Sequence, residues 1–228
     1  MIIMNGRKIY YSFHDMPLHQ DQPYGYSEQP KGLTFSREEI KQILIAMGVL
    51  TLAFSFALAP YPPLTNFRSV LGNIPVAFLA IATAFVCHEL AHKYMGQKFG
   101  YWSEFRMYLP GLMLALFLGV IAGIVFAAPG AVQIFGRPNR EESGKLAAAG
   151  PTTNIVIGLI FLALMAVTQG YMSYVAWFIA YINVFLGLFN LLPFGPLDGL
   201  KIFSWKKEVW GLLFVVGIAL LIVLFPLV

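Results

Sequence analysis

Between Lys145 and Asp198 the chain runs for 52 residues without an Asp, Glu, Lys or Arg. Four more stretches, 42–67, 69–87, 107–136 and 209–228, are likewise uncharged. A helix needs about 20 apolar residues to cross the hydrocarbon core of a bilayer, so a chain patterned this way folds in lipid. The longest gap holds two crossings, with a turn near Thr168-Gln169-Gly170. Composition closes the soluble alternative. Only 11% of the 228 residues are charged and 58% are hydrophobic, and ten of the charged residues fall in the first 41 positions. Too few are left to cover a soluble surface. The net charge of +4 is scattered between apolar segments; it reads as orienting charge and excludes a nucleic-acid footprint. The single cysteine, Cys87, cannot form an intrachain disulfide and reads as a small packing residue. Met1 to Phe13 carries Arg7 and Lys8 with no apolar stretch after them, so no cleavable signal peptide is expected.

Residues 1–35, rich in Pro, Gly, Gln and Tyr, are expected to form a polar cytoplasmic extension with little regular structure. Residues 36–228 are expected to form one membrane-embedded domain. Ser36 followed by Glu39 is a capping-box pattern, and a first helix should run from there to about Ala59, where Pro60, Pro62 and Pro63 stop it. A second helix is expected from about Asn73 to Phe99. The short aromatic segment 101–110 partly alternates, which suits a strand near 102–108. An apolar stretch at 111–128 and a polar loop at 129–145 follow. Helices near 146–168, 172–192 and 208–226 complete the chain. The fold class is an all-α polytopic membrane protein.

Near the end of the second helix stands His88-Glu89-Leu90-Ala91-His92. Positions four apart on a helix lie 40° apart in azimuth, one turn apart in height, so both imidazoles face one point. Zn²⁺ suits that point, with Glu89 beside it to take a proton from water. This composition gives roughly 0.002 chance occurrences of HExxH. Interfacial residues snorkelling at a helix end are the alternative, but Val86 and Cys87 precede the motif, well inside the apolar stretch. Catalytic zinc usually has a third protein ligand. His14, His19, Asp15 and Asp21 lie in the polar extension. Asp198, in Asn190-Leu-Leu-Pro-Phe-Gly-Pro-Leu-Asp198-Gly199, is the candidate within the membrane part. Pro193, Pro196 and Gly199 break the helix there, and irregular backbone at that depth lines a protein-buried or wet cavity.

HELAH, Ala149-Gly150-Pro151-Thr152-Thr153-Asn154 and NLLPFGPLDG, in that order, resemble the site-2 protease family of intramembrane zinc metalloproteases. The resemblance covers roughly residues 73–205. It implies one Zn²⁺ per chain held by His88, His92 and Asp198, Glu89 as general base, and Asn190 near the scissile peptide. It implies hydrolysis of peptide bonds within or near transmembrane segments of membrane proteins, with the lipid bilayer and those substrates as partners. No PDZ or CBS domain of the kind common in the family is expected within these 228 residues, and 111–128 is longer and more apolar than the hairpin region of many members. Two other readings compete: a zinc-binding scaffold without activity, which has no need of Glu89, and a metal transporter, which calls for ionisable residues spread along the spans.

Geometry bears on 111–128 separately. The two histidines and Asp198 must share one depth, and the helices at 146–168 and 172–192 return the chain to the side it left. A third crossing at 111–128 would carry Asp198 to the opposite face, so this segment is expected to be re-entrant or buried without spanning. That arrangement puts 14 of the 15 Lys and Arg on one side, leaving Arg68 on the other. The bias orients the N-terminus and the metal toward the cytoplasm of a multi-pass cell-membrane protein. Gly119 and Gly123 form a GxxxG pair that suits close helix packing or is incidental. Trp102, Trp205 and Trp210 read as interface anchors, His14 and His19 as solvated, and Glu104 and Arg106 as surface charges. Asn154 is either a structural hydrogen-bond partner or a substrate contact.

Overall fold

A computed structural model describes residues 2–4, 7–9, 33–125 and 129–225. The chain divides into two units, residues 1–31 and 32–228. In the first, β1 (Ile2–Met4) and β2 (Arg7–Ile9) form an antiparallel hairpin with Ile2 opposite Ile9. This is more structure than the expected irregular extension. His14 and His19 lie outside the described residues.

Among its described residues the second unit holds five helices long and apolar enough to cross a membrane, and the protein is a multi-pass membrane protein. The first is α1 (Arg37–Ala57). Ser36 caps it, its side chain accepting from Glu39 N at 3.1 Å. The expected capping box is only half made, because the Glu39 carboxylate points inward to other partners. The next spanning helix is continuous from Phe67 to Lys98 and starts six residues before the expected Asn73. It comprises α2 (Phe67–Ile81), a five-residue π-helical turn (Ala82–Val86) and α3 (Cys87–Lys98). The π turn ends two residues before His88, and such bulges collect at functional sites.

After α3 the chain enters β3 (Trp102–Met107), the expected strand. It then forms α4 (Leu109–Ala122), returns as β4 (Gly130–Phe135) and continues into α5 (Arg140–Val167). β3 and β4 pair antiparallel, Trp102 opposite Phe135 and Met107 opposite Gly130. The excursion through α4 therefore starts and ends at one place, and Tyr108 N donates to Pro129 O at 2.9 Å to close it. α4 has 14 residues, too few to span. The apolar segment is thus re-entrant. The polar loop read at 129–145 instead supplies β4 and the first turn of α5. Asn139 and Glu142 form a complete capping box there, six residues earlier than the helix expected at 146.

α5 and α6 (Tyr171–Asn190) pack as a pair, followed by the short α7 (Asp198–Trp205) and then α8 (Lys207–Leu224). A core of Ile155, Val184, Leu188, Leu191, Ile202 and Leu224 joins these four. A second core, with Ala46, Leu50, Ala53, Phe85, Phe105 and Leu112, joins α1, α4, β3 and the π turn. Gly119 meets α1 so closely that a Cβ there would lie 2.6 Å from Ala53 O. Small residues allow such approaches between membrane helices, where hydrophobic driving force is weak. α3 packs against α5, which belongs to the first core, and against β3, which belongs to the second.

Candidate metal centre

His88 and His92 project from one face of α3 toward α5 and α7, as their four-residue spacing requires. Their Nε2 atoms are 3.0 Å apart. Asp198 Oδ2, from the first residue of α7, lies 3.3 Å from His88 Nε2 and 3.0 Å from His92 Nε2. Among the described residues these three form a group that could hold one metal ion, one ligand atom from each lying within 4.8 Å of the others.

The other ring nitrogens decide what this cluster can be. His92 Nδ1 lies 2.8 Å from Leu146 O, which only accepts. His88 Nδ1 lies 2.5 Å from Asn154 Oδ1. The orientation of that amide is fixed: Asn154 Nδ2 donates to Ala84 O at 2.9 Å and to Asn183 Oδ1 at 3.2 Å. Asn183 is fixed in turn by donating to Thr83 Oγ1 at 3.0 Å and Ile179 O at 2.9 Å. Both Nδ1 atoms therefore carry a proton, which leaves Nε2 as the lone-pair atom whenever the ring is neutral. Both Nε2 lone pairs then point, with a carboxylate oxygen, at a common space. With both rings neutral, these three electron-pair donors would repel one another unless a cation lay among them, which is the protonation state a metal requires of its imidazole ligands. The donors suit zinc: two imidazoles and a carboxylate leave the open fourth position of a catalytic site. Nδ1 hydrogen bonds are the usual means of orienting a ligating imidazole.

The space is kept clear by Gly150 of α5. A Cβ there would lie 2.4 Å from His92 Nε2 and 2.6 Å from His88 Nε2. Gly199 has a parallel role beside Asp198, for its Cβ would lie 2.1 Å from Leu191 O. This lets α7 dock tightly enough to present the aspartate.

Glu89 points elsewhere, toward the sheet. Its Oε2 accepts the backbone N–H of Val132 in β4 at 2.8 Å. On the far side of the sheet, Glu39 Oε1 accepts Phe105 N at 2.9 Å and Gln42 Oε1 accepts Met107 N at 2.9 Å. Phe105 and Val132 are cross-strand partners whose N–H groups point outward, so they form a non-hydrogen-bonded pair. Peptide pairing at the outer edge of β3 therefore does not fit, because α1 already covers it. The opposite edge, on β4, is the one beside Glu89.

Asn190, the last residue of α6, turns its amide onto its own helix, Nδ2 donating to Leu186 O at 3.0 Å. It is not joined to the two histidines and Asp198 by that bond. Glu104, read as a surface charge, is 6% exposed and paired with Arg106. Asn154, left open by the sequence, is the partner of His88. Sequence reasoning missed Gly150, Asn183, Glu39 and Lys93 as parts of this assembly. Lys93 had a signal: an ionisable residue one turn beyond Glu89 in an apolar helix is costly and rarely idle.

Comparison with known proteins agrees with this chemistry. The profile described as Peptidase family M50 matches residues 166–224, which include Asn190 and Asp198. Putative zinc metalloprotease MJ0611 of Methanocaldococcus jannaschii is 38% identical over 190 residues, covering 82% of this chain and 93% of that protein. Putative zinc metalloprotease YwhC of Bacillus subtilis is 30% identical over 152 residues, covering 58% of this chain and 69% of that one. Zinc metalloprotease MJ0392 of M. jannaschii is 27% identical over 131 residues, 56% of this chain and 33% of its own length. No solved structure matches. With a histidine-and-aspartate cluster suited to zinc and, among the described residues, five helices long and apolar enough to cross a membrane, the chain is a zinc metalloprotease that belongs to peptidase family M50, the site-2 protease family.

Proposed function

We propose that the protein hydrolyses peptide bonds within or near transmembrane segments, with its active site toward the cytoplasm. The observation that carries this reading is the convergence of His88 Nε2, His92 Nε2 and Asp198 Oδ2, all buried or nearly so between membrane-crossing helices. These three hold the metal in this reading. Zinc there would supply a Lewis acid for the scissile carbonyl and lower the pKa of water.

The chain's own groups do the rest. Asn154 Oδ1 and Leu146 O keep the protons of both imidazoles on Nδ1. The Glu89 carboxylate takes a proton from the attacking water and passes it to the departing amine. A helical segment hides its carbonyls in i→i−4 bonds, so a substrate must unwind locally before Glu89 can act. The outward-facing backbone of β4 can take up the unwound peptide by strand pairing. Asn190 is the candidate donor to the scissile peptide; reaching it requires its amide to leave Leu186 O. In the orientation that the Lys and Arg bias of the sequence favours, water would reach the site from the cytoplasm.

The test is cleavage of a panel of tagged single-span proteins in liposomes by the wild type and Glu89→Gln, with cut sites mapped. Cuts inside or at the edge of the apolar segments, absent with Glu89→Gln, are the expected result. Cuts confined to soluble loops overturn the intramembrane reading.

A further inference from the structure

About 100° round α3 from the metal-facing histidines, the helix carries a second charged residue that the hydrolytic reading leaves without a task. Lys93 is 1% exposed, and its Nζ donates to Glu39 Oε1 and Oε2, both at 2.8 Å, and to Ser103 O at 2.7 Å. Glu39 is fully buried, and it holds Phe105 N as well. One ion pair thus ties together α1, α3 and β3. Burying lysine and glutamate so completely is weak evidence for stability, since well-packed apolar residues often serve as well or better. What the ionic pair supplies is direction: its donors and acceptors fit in one arrangement only.

We propose that Glu39 and Lys93 are positioning residues that set the register of the β3–β4 sheet against the HExxH turn, and so fix which bond of a docked peptide meets Glu89. This rests on the reading of β4 as the docking edge. Glu89 and Lys93 are four residues apart on one face of α3, so each grips one strand of the same sheet. Glu89 holds Val132 of β4, while Lys93 with Glu39 holds Ser103 and Phe105 of β3. Phe105 and Val132 face one another, so Glu39 and Glu89 clamp one cross-strand pair from opposite edges. Three residues beyond Lys93, a Cβ on Gly96 would lie 2.1 Å from Ser103 Oγ, so the sheet rests on α3 without slack. A slip of one residue moves a strand by about 3.4 Å and turns outward-facing groups inward. It would take the Val132 N–H away from Glu89 and move any peptide on β4 by one bond.

The test uses the full-length zinc-loaded protein in lipid nanodiscs, with the double variant Glu39→Gln/Lys93→Met. This variant removes both charges and keeps an acceptor for Phe105 N. Amide hydrogen exchange at Val132 is read against wild type and against Glu89→Ala, which lacks the acceptor; cut sites are mapped on a single-span substrate. The variant is expected to keep one zinc per chain, to lose about tenfold or more of its Val132 protection and to spread its cuts over neighbouring bonds. Unchanged Val132 protection with an unchanged cut map overturns the proposal, as does activity that falls only in proportion to zinc content. Should the double variant not fold, Glu39→Asp, one methylene short, takes its place: lost Val132 protection with scattered cuts supports the proposal, and wild-type values of both overturn it. If the wild type cuts no membrane segment, the substrate reading fails, while the exchange comparison still decides whether the pair positions the sheet.

Discussion

The face of α3 that carries His88 and His92 and the face that carries Glu89 and Lys93 meet partners of different kinds. The histidines meet helices. Asn154 and Leu146 O of α5 hold their Nδ1 atoms, Asp198 of α7 meets their Nε2 atoms, and Gly150 leaves the space between them open. Every group there sits on a helix, and α5 and α7 are packed into one core. Glu89 and Lys93 meet a two-stranded sheet and the start of α1. A metal tolerates little variation in ligand distance, so helices with locked side chains suit it. A peptide must be taken up and let go, and a strand edge does this with backbone groups indifferent to side-chain identity. One helix serves both demands because residues four apart fall on a common face while neighbours such as His88 and Glu89 diverge by about 100°.

If the histidine face depends on open space, Gly150→Ala should have the largest effect: zinc binding and proteolysis both disappear, as metal analysis of purified protein will tell. One zinc per chain in that variant would break the distinction at its root. Glu89→Gln should separate the faces, keeping zinc while lowering kcat by about 10²- to 10⁴-fold; loss of metal instead would mean the faces are not independent. Asn154→Ala should weaken zinc by about 10- to 100-fold in competition with a chelator, with cut sites unmoved in metal-saturated enzyme. The mildest change belongs to the other core. Gly119→Ala forces α4 away from Ala53 and should cost about 1–3 kcal/mol in unfolding experiments, leaving zinc per chain at the wild-type value.

Much of this was legible in the residue order. The uncharged gaps give the spanning helices, and the parity of crossings between His92 and Asp198 is enough to make 111–128 re-entrant. HExxH and the broken helix before Asp198 name the three side chains that meet. What was not legible is what depends on contacts distant in sequence. The Ser36-x-x-Glu39 pattern promises a reciprocal cap, yet Glu39 commits its carboxylate to Lys93 and Phe105, more than fifty positions away. β4 was hidden because Gly130–Phe135 is short and flanked by loop-forming residues, and only pairing with β3 makes it a strand. Asn154 could not be assigned because the choice lay in which atom of His88 it faces.

The adjacency of Met107 and Gly130 has a consequence for how chains of this architecture can vary. Entry to and exit from the segment 108–129 are neighbours across one strand pair, so whatever the segment holds must return the chain to the side of the bilayer it left. In topology the segment is a cassette, and what it holds bears on the site through packing alone, since Leu112 and Ala115 of α4 share a core with α1 and Phe105 of β3.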